Sequence, residues 1–168
     1  MGLPNRRKIQ AKIQMKSLTR YLQEKLVIKK NKTPDYKYFP KTKLELEGII
    51  RKRIKEEGNN VNLNDIDTSN ITDMSKLFPG FSPDFNGDIS EWDVSKVENM
   101  SFMFLGCKSF NQDISNWDVS NVTKMRSMFY SCKDFNQDIS QWDVSKVKDT
   151  RCIFDYCPIE EKYKPKFK

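Results

Sequence analysis

The sequence predicts an α/β solenoid, a coil of short parallel strands and short helices closed at its N-terminal end by an α-helix. Three observations carry this expectation. A phrase recurs in strict register over the second half of the chain: Trp92-Asp93-Val94-Ser95, Trp117-Asp118-Val119-Ser120 and Trp142-Asp143-Val144-Ser145. Each copy contains both a helix-like and a strand-like pattern of apolar residues. A capped amphipathic segment stands immediately before the repeat region.

In chain order, residues 1–33 are expected to form a basic amphipathic helical arm. Ten Lys/Arg face one Glu there. Met15, Leu18, Leu22 and Leu26 give residues 7–29 an apolar helical stripe, and Arg6, Arg7, Lys8, Lys12, Lys16 and Arg20 crowd the remainder. Such a helix either docks its stripe on the body, or meets an acidic protein face, nucleic acid or an anionic membrane.

Residues 34–60 read as a linker and a capping helix. Thr42 and Glu45 form a capping box after Pro40,. Leu46, Ile49, Ile50 and Ile54 make the stripe, and Gly58 with Asn59 and Asn60 stops it,. The first coil of a solenoid exposes an apolar end, so this helix is expected to cover it.

Residues 61–157 hold four repeats of 25 or 26 residues, the first degenerate around Ile66–Phe78. An extra residue falls in Pro79–Asp84, a loop by its prolines and Gly80,. Val122, Met125, Met128, Phe129 and Cys132 fit one stripe of a short helix, and Ser95 with Glu98 resembles its capping box,. Phe110–Trp117 reads as an extended segment or short strand,. Stacked coils would bury these residues against their equivalents. Residues 158–168 are a short basic tail.

The phrase W-D-V-S-x-V-x-x-M-x-x-M-F-x-x-C, followed by F-N-x-D-I-S-x-W, resembles the BspA-like leucine-rich repeat family, a 25/26-residue bacterial surface-protein repeat of Mycoplasma type. The resemblance covers about residues 61–157. It implies a leucine-rich-repeat-like right-handed coil that binds partners without catalysis. Many members of that family are secreted or lipid-anchored, whereas this chain begins with no apolar leader and resembles short unsecreted members carried by phages and mobile elements. Its longest unbroken apolar run is Phe102–Leu105, far from a membrane span of ~20 residues,. A cytoplasmic protein of a bacterial host is expected, with a surface protein as the alternative.

Charge and composition bound the chemistry. The net charge is +7, yet residues 61–157 carry nine basic against fifteen acidic residues. Histidine is absent, which excludes Ser-His-Asp and Cys-His catalysis and His-ligated zinc. Two aspartate columns repeat, Asp88/Asp113/Asp138 and Asp67/Asp93/Asp118/Asp143. They read as turn-forming residues accepting backbone N–H bonds, with calcium ligation and paired glycosidase acids as the alternatives. The tryptophan column reads as core, and Cys107, Cys132 and Cys157 as buried free thiols.

No catalytic, cofactor or metal residues are therefore expected. The expected function is a non-enzymatic protein-binding repeat module that modulates a host macromolecule. The alternatives are a phage or mobile-element inhibitor of a nucleic-acid-handling enzyme, anti-CRISPR-like, and a bacterial surface adhesion module. A protein partner is expected first, with nucleic acid or nucleoprotein reached through the arm. The candidate contacts are Asn86, Gly87, Glu91, Asn111, Gln112, Asn116, Asn136, Gln137 and Gln141 on the extended segments, together with the six arm residues Arg6, Arg7, Lys8, Lys12, Lys16 and Arg20.

Overall fold

The computed structural model describes residues 35–78 and 83–167. The chain divides after Asp35, and the larger unit runs over Tyr36–Lys168. The basic arm with its expected helix, and the first four residues of the expected loop at 79–84, lie outside the described residues.

Among the described residues one α-helix forms, α1 (Lys43–Glu57), with a single 3-10 turn at Glu161–Tyr163. Thr42 keeps extended backbone and its hydroxyl accepts the Glu45 N–H at 3.2 Å. The Glu45 carboxylate reaches past the cap to accept the Lys41 N–H at 2.7 Å. Gly58, at φ 88°, donates its N–H to the Ile54 carbonyl at 2.9 Å and ends the helix. Glycine suits that backbone because it has no Cβ to clash. Leu46 and Ile50 are buried, with Ile49 and Ile54 packed beside them.

The stripe gave no sign of Arg53, which is also buried. Its Nη1 donates to both oxygens of Asp65, at 2.8 and 3.1 Å, and its Nη2 to the Asn62 carbonyl at 2.9 Å. Its Nε pairs with Glu57, and the guanidinium lies 5.3 Å from the Tyr38 ring centre. Glu57, and after it Asp65, hold the guanidinium pKa above its ordinary value against the opposing effect of burial. Arg53 thus ties α1 to the linker and to the first repeat.

The repeats do not form the expected α/β solenoid of parallel strands and helices, nor the leucine-rich-repeat coil. No strand exists among the described residues, and parallel pairing is confined to isolated bridges, such as the row Asp73, Asn99, Lys124 and Asp149. Each repeat is instead a layer of consecutive tight turns. From Met100 to Cys107 the N–H groups take two routes. Those of Met100, Phe102, Phe104 and Gly106 donate to the next layer, at Lys124, Arg126, Met128 and Tyr130, over 2.8–3.0 Å. Those of Met103, Leu105 and Cys107 close onto the carbonyl three residues back, over 2.9–3.3 Å. Met125, Ser127, Phe129 and Ser131 repeat the pattern onto Asp149, Arg151, Ile153 and Asp155.

This is why the expected short helices are missing. An α-helix needs successive N–H groups for bonds four residues back within its own segment. Here every second one goes to the neighbouring layer. Apolar spacing of three also fits turns closed at i to i+3, so Met100, Met103, Phe104 and Cys107 are buried without a helix. The alternation places Lys76, Phe102, Ser127 and Cys152 in left-handed backbone, and Gly106, Ser131 and Tyr156 in a second such column, with φ between 51° and 75°. That conformation costs a non-glycine residue about 1–2 kcal/mol, which the bonds between layers offset. The expected Ser95–Glu98 capping box is also absent. The Ser95 N–H and hydroxyl both donate to Asp93 Oδ1, and the Glu98 N–H goes to Thr72.

The core follows from this stacking. Phe78, Phe104, Phe129 and Phe154 stack in a column with ring centres 5.4, 5.6 and 5.7 Å apart. Phe85, Phe110 and Phe135 form a second column against the first. Trp92, Trp117 and Trp142 are buried in equivalent positions. Each indole donates to the layer before it, at Leu63, Ile89 and Ile114. The C-terminal tail is more than basic: Ile159 and Pro165 are buried, with Tyr163 and Phe167 packed beside the core. It pairs with the last layer where the Ile139 N–H donates to Tyr163 and the Glu160 N–H to Asn136 Oδ1.

Candidate interaction face

The aspartate columns serve turns. Asp67, Asp88, Asp93, Asp113, Asp118, Asp138 and Asp143 each accept the N–H of the serine two residues on, over 3.0–3.1 Å. A short acceptor side chain closing such a turn also favours its charged form. Donation from Ser120 and Ser140 lowers the Asp118 and Asp138 carboxyls. At Asp88 burial pushes upward, and bonds from Ser90 and Asn64 override it to leave the carboxyl below its ordinary value. Among the described residues no cluster of three or more Cys, Asp or Glu is placed to hold a metal ion.

The cysteines are free. Cys107 and Cys132 are buried, and the Cys132 thiol donates to the Phe104 carbonyl at 3.1 Å. Burial pushes the Cys107 thiol up to about 12 and raises that of Cys132 as well. Neither thiol is poised as a nucleophile, because the thiolate is the reactive form.

The sequence-predicted contacts divide by what their polar atoms do. Asn86 and Asn111 accept, through Oδ1, the N–H groups of Asn111 and Asn136 in the following layers. Gln112 and Gln137 donate their amides back to Asn86 and Asn111. Asn136 accepts from Glu160. Gly87 is buried, and a Cβ there would lie 2.6 Å from the Phe85 ring and 2.8 Å from the Val61 carbonyl. Glu91, Asn116 and Gln141 are exposed, with the Gln141 amide on the Ser140 hydroxyl. The six arm residues lie outside the described residues.

The layered turns present a different surface, which the sequence pattern did not single out. Equivalent positions there change from layer to layer, as in Ser75, Ser101, Arg126 and Arg151, or Lys76, Phe102, Ser127 and Cys152. Lys76 and Arg126 flank the Phe102 ring, at 5.8 and 5.6 Å from its centre. Further along, Tyr130 and Tyr156 meet edge to face at 5.3 Å, and Lys133 stands 5.3 Å over Tyr156. Tyr156 is 67% exposed. Arg151 is engaged by Asp149, whose carboxyl falls to about 2 beside that guanidinium. The available signal was the variation itself: the aromatic core columns keep one residue type from layer to layer, and these columns change along the stack.

A stack of turn-built repeats with an aromatic and cationic strip defines a repeat protein with a candidate recognition surface. Residues 47–164 match the family model DUF285, described as a Mycoplasma protein of unknown function, and the chain belongs to that family. No curated protein and no solved structure matches it. The expected phage-borne, anti-CRISPR-like inhibitor gains nothing from this match, since the family description speaks of neither phages nor inhibition. No helix among the described residues is long and apolar enough to cross a membrane.

Proposed function

We propose that this chain is a non-enzymatic repeat module that binds a partner protein through the strip Lys76, Phe102, Arg126, Tyr130, Lys133 and Tyr156. The observation that carries the reading is the contrast between a core that keeps its aromatic residues layer after layer and a strip whose columns change along the stack, from Lys76 to Phe102 and from Tyr130 to Asp155. A stack held by backbone bonds fixes the strip's side chains on a stiff support, which lowers the ordering penalty on binding. Tyrosine and arginine dominate the energetically important positions of protein interfaces. Residues 61–157 are net acidic, which disfavours a nucleic-acid backbone as the occupant. The resemblance of the repeat phrase to BspA-like repeats supports the same binding role.

The test compares the parent with Arg126→Glu and Tyr156→Ala in affinity capture from the source cells, with and without nuclease. Both side chains are at the surface, so melting temperatures should be unchanged. The expected result is a nuclease-resistant partner that the parent retains and both variants lose. Identical capture by all three, or loss of the partner on nuclease treatment, refutes the reading.

A further inference from the structure

We infer that the partner protein meets the strip with an acidic surface, whose carboxylates seat on Lys76 and Arg126 around the Phe102 ring. The inference rests on the reading of the strip as the binding surface and names the partner's chemistry there.

The first observation is where the acidic residues stand. The acid excess of the repeats lies in their first halves, where residues 61–71, 85–97, 110–122 and 135–147 hold nine acidic and two basic residues. Seven of the nine are the turn-closing aspartates. The turn segments of the two middle layers, 99–109 and 123–133, carry Lys108, Lys124, Arg126 and Lys133 and no acidic residue.

The second observation is that the cations at the centre of the strip lack counter-charges. In the first layer Asp73 stands 3.7 Å from Lys43, and in the last layer Asp149 engages Arg151. Lys124 holds the place in the third layer that Asp149 holds in the fourth, and the two are bridged neighbours. Arg126, the counterpart of Arg151, therefore follows a like charge where Arg151 follows a carboxylate. Among the described residues no carboxylate lies within ion-pair distance of Lys76, Lys124 or Arg126.

The third observation is Phe102 itself. It is half-buried in left-handed backbone, at φ 62°, where its equivalents are Lys76, Ser127 and Cys152. A bulky side chain is unfavourable in that conformation. Phe102 also stands outside the stacked ring columns of the core. Its ring instead spaces two cations, Lys76 from the layer before and Arg126 from the layer after.

These three features set the occupant's chemistry. Cations two layers apart stand roughly 10 Å from one another, at ~4.8 Å per layer, and accept carboxylates of similar separation on a protein surface. A guanidinium can take a carboxylate through two parallel bonds. A nucleic-acid base would need a free ring face on which to stack, and Phe102 is flanked on both sides by cations. Opposite charge placed there selects the partner and speeds its encounter.

The probe is a twelve-residue peptide, Glu-Leu-Gly-Glu three times over with both ends blocked, titrated into the full chain. The amide signals of Lys76, Phe102, Lys124 and Arg126 report where it seats. The expected result is saturable shifts of these signals at low salt, with binding at least about fivefold weaker when glutamine replaces every glutamate of the peptide. That advantage should vanish at about 1 M salt, where the Debye length is ~3 Å. Lys76→Gln combined with Arg126→Gln should remove the shifts at an unchanged melting temperature, and Lys166→Gln in the tail should keep them. Shifts confined to other parts of the chain, or equal binding of the two peptides, overturn the inference. So does a twelve-nucleotide oligouridine that displaces the peptide from these amides, which would make a nucleic acid the occupant. Capture from the source cells separates this inference from the strip reading. A partner lost by Tyr156→Ala but kept by the Lys76→Gln, Arg126→Gln chain leaves the strip standing and overturns only the acidic surface. A partner kept by both Tyr156→Ala and Arg126→Glu removes the strip and the inference together.

Discussion

The indole Nε1 of Trp117 donates to the backbone carbonyl of Ile89, 3.2 Å away and one layer earlier. The same bond joins Trp92 to Leu63 and Trp142 to Ile114. The tryptophan therefore fills the core and also gives a second donor to a carbonyl that already accepts a backbone N–H, as Ile89 does from Trp92.

Trp117→Phe should separate these two roles. It keeps most of the apolar contact and removes one of the two donors to the Ile89 carbonyl, which retains the Trp92 N–H, so a loss of about 0.5–1.5 kcal/mol is expected. Trp117→Ala should lose about 3–5 kcal/mol through the cavity as well. Urea unfolding of both variants measures the difference. A Trp117→Phe protein as stable as the parent would show that the bond contributes nothing.

The left-handed columns make an opposite pair of predictions. Gly106, Ser131 and Tyr156 occupy equivalent positions at φ 75°, 58° and 58°. Ser131→Gly should stabilise the protein by up to about 1 kcal/mol, since glycine removes the Cβ clash while giving up some chain entropy. Gly106→Ala should destabilise it by about 1 kcal/mol, from backbone strain alone, because nothing lies within 4 Å of the added Cβ. Thermal melts should move in opposite directions, and a shared direction contradicts the assignment.

Arg53 tests the attachment of α1. Arg53→Leu removes the closer partner of Asp65, leaving it only the more exposed Lys37 at 3.5 Å, and frees the Asn62 carbonyl. Breaking one side of such a pair typically costs about 3–5 kcal/mol. The double change Arg53→Leu with Asp65→Leu should recover part of that loss. Equal stability of the single and double variants, measured by chemical denaturation, would mean that the pair is uncoupled.

Acid should unfold the stack through its turn aspartates. The carboxyls of Asp88, Asp118, Asp138 and Asp149 are lower in the folded chain than in ordinary peptides, Asp149 reaching about 2. A depressed folded pKa contributes stability that is fully present above the unfolded value, ~3.9 for Asp. That contribution is lost as pH falls through the folded value. Urea midpoints should therefore respond little to these groups above about pH 5 and fall steadily between about pH 4 and pH 2. Asp118→Asn should shrink that fall. A midpoint that is flat below pH 4 would show that the turns do not depend on charged aspartate.

Much of the molecule was legible because it is local or periodic. The cap of Thr42 and the stop at Gly58 depend on neighbours within a turn of helix. The aspartate turns depend on an acceptor two residues from its donor. The equivalent burial of Phe104 and Phe129, or Trp117 and Trp142, follows from a repeat that places identical residues in identical slots. Other features depend on groups a whole layer away. Whether Met100 to Cys107 becomes a helix or a row of turns is decided by where alternate N–H groups find acceptors, and those acceptors are carbonyls of Lys124 to Tyr130 that exist only once the next layer is in place. The same holds for Asn86 and Asn111, whose amides look free for a partner in the sequence but accept from the following repeat. The residues of each layer were thus determined by the sequence's period, while the backbone they adopt was decided by the stack, because a hydrogen bond goes to the acceptor that folding brings within reach.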